Sequence, residues 1–330
     1  MSADAEVTDA FDCFGSSCAA LVTGDGRGRS AGEAVELARR LLLAWHARFS
    51  RFLPDSELSL LNSAPQQEIT LSPLMARFAQ SVLAAASLTG GLVDATLLDQ
   101  IEDAGYTRDL RQALELSLAL ELAPARRPAA AASPSHFQQI EIDVSRHTIR
   151  RPPGVKLDSG GLAKGLFADV LAGALASHAS FAVNCAGDLM IGGAERITRA
   201  ITVESPFGGH TLHTFELQRS GVATSGIGRR SWLDAGGRPA HHLLDPSTGR
   251  PAFTGIVQVT ALAPSALLAE IHAKAAILSG PQAAPAWLPH GGVIVLDDGS
   301  HQLIDPPSTV TLSQLSGHAQ PARTPTRQAA

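Results

Sequence analysis

The chain has 330 residues, 45% of them hydrophobic, and a formal net charge of −5. That length supports one large domain or two smaller ones, and mixed charges without a basic stripe or aromatic platform exclude a nucleic-acid surface. No run of about 18 apolar residues is free of charge, which excludes a protein integral to the membrane. Met1–Ala10 is acidic and lacks the basic and apolar regions of a secretory leader, so the expected location is cytoplasmic. Cys13, Cys18 and Cys185 are an odd number without metal-ligand spacing and read as free thiols.

Residues 1–12 are expected to be flexible. Over 31–48, Val35, Ala38, Leu41, Leu42 and Trp45 share one stripe of a predicted helix. The run from Ser50 to Asn62 follows, with turn chemistry at Pro54-Asp55; it reads as a structural turn or a ligand loop. A second helix is predicted over Ser72–Leu88, with Ser72 as N-cap and Pro73 at the first helical position. Thr89-Gly90-Gly91 either ends that helix or lets backbone approach a ligand, and Leu92-Val93-Asp94 continues from it. Residues 123–135 (APARRPAAAASPS) are Ala/Pro/Ser-rich and read as a loose insertion.

Lys156–Gly165 leads from a strand into a helix predicted from Leu162 to Ser177. Glycines at a helix N-terminus expose backbone N–H groups and turn the positive end of the helix dipole toward a ligand, and Lys164 adds a charge. This suits a phosphate or diphosphate, although the run matches neither GxxxxGK[ST] nor GxGxxG. A glycine-rich connection without a ligand is the other reading. Strands are predicted at Phe181–Val183, Ala200–Val203, Ile256–Ala261 and Gly292–Leu296, and a helix over Pro264–Leu278. Val183–Asp188 with Gly192-Gly193 reads as a cleft wall or a hairpin. Ala223-Thr224-Ser225-Gly226 and His241-His242 through Gly249 are polar runs, the second carrying groups that titrate near neutrality. His241 by itself reads more readily as a structural residue than as a catalyst. From about Gly317 the composition is that of a disordered tail. Helices and strands interleave irregularly, so the fold class is α+β.

Six of these runs, in this order, resemble the ApbE family of FAD:protein FMN transferases: SRFLPDSELSLLN, TGGLVDAT, LDSGGLAKGLFAD, FAVNCAGDLMIGG, VATSG and HHLLDPSTGRP. The resemblance implies a single domain over 13–316 with a T-fold-like core and FAD in a cleft between two halves. It places Phe14, Phe52, Leu92, Val93, Asp94, Asp158, Lys164, Thr224, Ser225 and Leu244 at FAD contacts, and His242 at the catalytic histidine. It implies an acceptor flavoprotein whose threonine takes FMN from FAD, releasing AMP. A FAD-binding protein without transfer, or a FAD pyrophosphatase giving FMN and AMP, are the alternatives.

The family holds Mg²⁺ with an Asp and a Thr spaced i, i+4 on a helix and a carbonyl of the glycine loop. Gly161 still offers that carbonyl, but the helix carries Glu270 and Lys274 at the two positions. Lys has no acceptor lone pair while charged. Glu270 and Lys274 then either form a plain i, i+4 ion pair, or the Lys274 ammonium replaces the metal and contacts FAD directly.

Overall fold

The computed structural model describes residues 5–108 and 113–306. The segment 317–330 read as a disordered tail lies outside the described residues. Eight strands form one antiparallel sheet whose spatial order follows the chain: β1 Val7–Cys13, β2 Ser16–Thr23, β3 Ser180–Cys185, β4 Asp188–Gly192, β5 Ser220–Gly226, β6 Ile256–Ala263, β7 Gly292–Leu296 and β8 His301–Ile304. Long helical excursions leave this meander between β2 and β3 and between β6 and β7. The main helices are α1 Ala31–Phe49, α2 Pro73–Leu88, α3 Ala163–Leu175 and α4 Ala266–Ser279. The class is α+β, as the irregular interleaving predicts.

Local chemistry sets the helix starts. Ser30 and Glu33 form a capping box on α1, and Ser72 accepts from the Met75 N–H with Pro73 in the first turn of α2. For α4, Ser265 caps the Leu268 N–H. Asp169 of α3 also accepts from the N–H groups of Ala266 (2.7 Å) and Leu267 (3.1 Å). Two helices distant in sequence are thus locked together at one end.

The two largest apolar clusters among the described residues form the cores of the molecule. One joins α1, α2 and α3 to the β1–β3 end of the sheet, through Leu42, Phe78, Phe167, Leu171, Val22 and Val183. The other joins β5–β7 to α4 and to a hairpin formed by Arg199–Glu204 and Thr211–Leu217, through Val222, Val259, Val293, Ala276, Val203 and Phe215. Helix α4 contributes to both, since Ile271 and Ala275 face the first and Ala273 and Ile277 the second. No helix among the described residues is long and apolar enough to cross a membrane.

Two expectations change. Val7–Cys13, mostly inside the segment read as flexible, is a strand paired in full register with β2. Its alternation of more and less buried positions ends with Phe11 and Cys13 in the core, which holds it down. Residues 123–135 lack helix and strand but are pinned at intervals. The Arg127 and Ala129 N–H groups donate to the Phe253 and Leu278 carbonyls, and the Ala130 N–H donates to Asp245. Small residues let that backbone lie close against its neighbours.

Helices α3 and α4 touch at Gly165. A Cβ there would fall 2.7 Å from Leu267 Cα and 2.8 Å from the Ala266 carbonyl oxygen, both backbone atoms. Gly165→Ala is therefore expected to push the helices apart and lower the unfolding free energy by about 1–3 kcal/mol, read as a reduced urea midpoint with unchanged slope.

Candidate active site

A cavity of about 320 Å³ opens between the two cores, within the usual range of roughly 300–1,000 Å³ for ligand pockets. Phe14, Phe52, Leu92, Val93, Asp94, Asp158, Gly161, Lys164, His242, Leu244 and Lys274 line it, although they span most of the sequence. Three residues expected at the site stand elsewhere. Thr224 is on the exposed side of β5, with its hydroxyl 2.8 Å from that of Thr260. Ser225 is buried within the same strand and is not part of the lining. Glu270 is fully buried and not part of the lining; it meets the cavity through Lys274, which it bonds, and Lys164 nearby.

The glycine loop is held from three sides. Asn62 bonds Leu157 twice, its amide donating to the carbonyl and its oxygen accepting from the N–H, each at 2.8 Å. The Asp158 N–H donates to the Ala95 carbonyl at 2.8 Å, and the Ser159 hydroxyl to the Phe49 carbonyl at 2.8 Å. The runs from Ser50 to Asn62 and from Thr89 to Thr96 therefore buttress the loop that opens α3. Leu162, the residue before α3, makes no side-chain capping bond; the Gly165 N–H of the first turn is taken by Glu270, and Gly160, Gly161, Leu162, Ala163 and Lys164 line the cavity. The positive end of the helix dipole is thereby presented to a ligand.

Four charged side chains meet where α3, α4 and β4 converge. Lys164 Nζ donates to Asp188 Oδ2 and stands 3.9 Å from Glu270 Oε1. Lys274 Nζ donates to Glu270 Oε1 at 3.0 Å, and Glu270 Oε2 accepts from the Gly165 N–H at 3.0 Å. Burial alone would discharge Lys164, but the Asp188 and Glu270 carboxylates outweigh it and raise its pKa above that of an ordinary lysine. Burial and the neighbouring Asp188 push Glu270 above the ordinary carboxylate range, against the pull of the two lysines.

The adjacent histidines differ. His241 is buried against Phe253, its ring centroid 4.7 Å away, and its Nδ1 lies 3.3 Å from the Leu243 N–H, which donates to it. Burial lowers its pKa to about 3. His242 faces the cavity, and its Nδ1 is enclosed with no partner among the described residues. Burial, with Arg230, His241 and Lys274 nearby, lowers its pKa well below that of a free imidazole, so it is neutral at pH 7. A second orphan is Asp94 Oδ2 on the same cavity; Asp94 Oδ1 is taken by the Thr96 N–H and hydroxyl.

The opposite end is aromatic. The Arg51 guanidinium carbon lies 4.4 Å from the Phe52 ring centroid and 4.6 Å from that of Tyr106, and Tyr106 stacks on Trp232 at 5.2 Å. At the rim, Phe14 and Gly15 form a two-residue turn between β1 and β2 with φ of 56° and 68°. A left-handed Phe is strained; here the Arg230 guanidinium donates to its carbonyl at 3.0 Å and its ring stacks on Phe167. Arg51, Tyr106 and Arg230 were not singled out from the sequence. The one available signal was that Tyr106 is the chain's single tyrosine; Arg230 sits in a Gly-Arg-Arg-Ser run with no periodicity to mark it.

A mixed α+β scaffold thus brings a glycine-opened helix start, two lysines and a histidine to one cavity, an arrangement suited to an anion. The sequence profile of the ApbE family matches residues 14–296, and the chain belongs to that family. A FAD:protein FMN transferase of Treponema pallidum is 29% identical over 157 residues, 43% of either chain. One of Salmonella typhimurium is 26% identical over 253 residues, 74% of this chain and 71% of that one. The crystal structure of an ApbE protein from Thermotoga maritima superposes with a TM-score of 0.74 at 24% identity, covering 91% of this chain and 97% of that one.

The buried pairs carry a stability consequence. Asp188→Asn removes the negative partner of the buried Lys164 and is expected to lower the unfolding free energy by about 3–5 kcal/mol in urea titration at pH 7.

Proposed function

We propose that the chain is a FAD:protein FMN transferase, moving FMN from FAD to a threonine hydroxyl of an acceptor flavoprotein and releasing AMP. The observation that carries this reading is His242 facing the same cavity as the start of α3 and Lys164. A diphosphate beside those N–H groups and that ammonium has its charge met by groups already in place. Phe52 and Tyr106, in edge-to-face contact on the same cavity lining, offer apolar surface to a flat ring. His242 takes the proton of the threonine hydroxyl as its oxygen bonds to the phosphorus of the FMN half. The bond from that phosphorus to the bridging oxygen breaks, and AMP departs with that oxygen. Catalysis of this kind rests mainly on positioning and charge neutralisation.

An altered cation position is part of the reading. Mg²⁺ takes oxygen ligands in octahedral geometry at about 2.0–2.1 Å. Both Glu270 oxygens are engaged by the Gly165 N–H and the Lys274 ammonium, and Lys274 offers no lone pair. No group of three or more His, Cys, Asp or Glu side chains suited to a metal occurs among the described residues. The Gly161 carbonyl alone does not make a site, so the residues present do not fit Mg²⁺, and no step is routed through it.

Incubation with FAD, with and without an acceptor domain carrying a reactive threonine, tests the reading. AMP release that requires the acceptor, with flavin retained on the denatured acceptor, is the expected result. AMP release without acceptor would establish a pyrophosphatase instead, and FAD binding without AMP would leave a flavin-binding protein.

His242→Ala is expected to reduce transfer by about 10²–10⁴-fold, with the FAD dissociation constant changed little. Equal losses in affinity and rate would assign His242 to binding. A base of lowered pKa works above that pKa and is lost as pH falls through it. The acidic limb of kcat/KM should therefore lie below pH 6.5, the ordinary histidine value, in a profile measured between pH 4.5 and 9.

A further inference from the structure

Lys274 is an ion on a helix that is otherwise built to be core. Of the fourteen residues of α4, eleven are buried, and apart from Glu270, His272 and Lys274 these are Ala, Ile and Leu. A helix needs no ammonium there for packing, and a buried ion pair is seldom more stable than an apolar pair of the same size. Glu270 does not depend on Lys274 alone, because the Gly165 N–H and the nearby Lys164 also face it.

The Lys274 side chain runs alongside the glycine loop. A Cβ built on Gly161 would stand 3.4 Å from Lys274 Cε, at ordinary contact distance, so the lysine stem lies against the glycine loop. Of the three N–H bonds of its ammonium, one is spent on Glu270. Two have no partner among the described residues, and Lys274 lines a cavity wall together with the start of α3 and with His242. The other cations of this cavity also have partners, and Lys164 is a second ammonium bonded to one buried carboxylate. Arg51 lies against Asp158 at 3.7 Å, Lys164 is bonded to Asp188, and Arg230 is bonded to the Phe14 carbonyl.

We propose that Lys274 is a built-in cation for the dinucleotide diphosphate, its free N–H bonds contacting the phosphate oxygens directly, so that this chain binds and uses FAD without a divalent metal. This rests on the transferase reading and specifies how that site meets the charge of its substrate. Glu270 is the positioning residue: it fixes the ammonium one helical turn from its own Cα and prevents the lysine from swinging out of the wall. A tethered ammonium has no coordination shell to assemble and cannot be removed by a chelator.

The test uses the full chain and flavin fluorescence titrations with FAD and with riboflavin, which lacks phosphate, each in excess Mg²⁺ and in EDTA. The wild-type protein is expected to bind FAD equally tightly in both buffers and, in EDTA with acceptor present, to transfer FMN and release AMP. Lys274→Gln is expected to weaken FAD by about 10-fold or more, as for loss of a charge-assisted contact, while riboflavin affinity is unchanged. In Lys274→Ala, added ethylammonium should restore part of the transfer rate, which no structural loss would permit.

Loss of wild-type FAD affinity or transfer in EDTA would overturn the proposal without using any variant. FAD affinity unchanged in Lys274→Gln, or lost in step with riboflavin affinity, would overturn it as well. A wild-type protein that binds no FAD in either buffer would instead overturn the transferase reading on which it stands.

Discussion

The contact between α3 and α4 at Gly165 is the constraint on which the site depends. With no side chain between them, the two helices approach until the Gly165 N–H reaches the Glu270 carboxylate. That one bond makes the first turn of α3 and the middle of α4 a single rigid piece. Asp169 then locks the far side by accepting from the first N–H groups of α4. Lys164 and Lys274, carried by different helices, are consequently set at a common wall. Precision here follows from backbone on backbone, which has little freedom to relax, and not from long side chains finding one another.

The same device recurs at β5. A Cβ on Gly221 would come within 2.1 Å of the Ser265 carbonyl carbon, so only a bare backbone allows the strand to pass beneath the start of α4. β5 reads SGVATSG and is nearly all small residues. Such a strand has weak intrinsic β-propensity and resembles a loop in composition, which is why its sequence suggested a polar run lining a site. Its place is fixed by pairing with β4 and β6. Thr224 and Ser225 therefore serve the sheet, one bonded across it to Thr260 and the other buried in it.

What was legible from the sequence was local. The stripe on α1, the Ser72-Pro73 start of α2 and the runs at Ile256 and Gly292 carry strong period or capping signals, and the elements follow them closely. The β1–β2 hairpin was hidden because its turn is Phe14-Gly15, not the Asn-Gly or Asp-Gly pair that ordinarily marks a tight hairpin. Glu270 and Lys274 were visible as an i, i+4 pair; their union with Lys164 and Asp188 is tertiary, since β4 and α3 meet α4 only after folding. Arg51 and Arg230 escaped for the same reason. Each looks like an ordinary surface arginine until Tyr106 and the Phe14 carbonyl are brought to it from positions far along the chain.

The paired histidines show how little residue type decides by itself. His241 ends a short strand, Pro239–His241, that pairs with Ser231–Leu233, and successive side chains of an extended backbone point to opposite faces. One face of this segment meets Phe253 and the core; the other meets the cavity. Burial depresses the basicity of both rings, so both are neutral at physiological pH. Neutrality is useful only where a proton donor can arrive, and that is the side on which His242 shares a wall with Lys274 and Arg230. Those cations add to burial in lowering its basicity. A bound diphosphate would bring negative charge against them and raise it again. In the proposed reaction, substrate binding therefore prepares the base that consumes it, through charges placed by the α3–α4 contact.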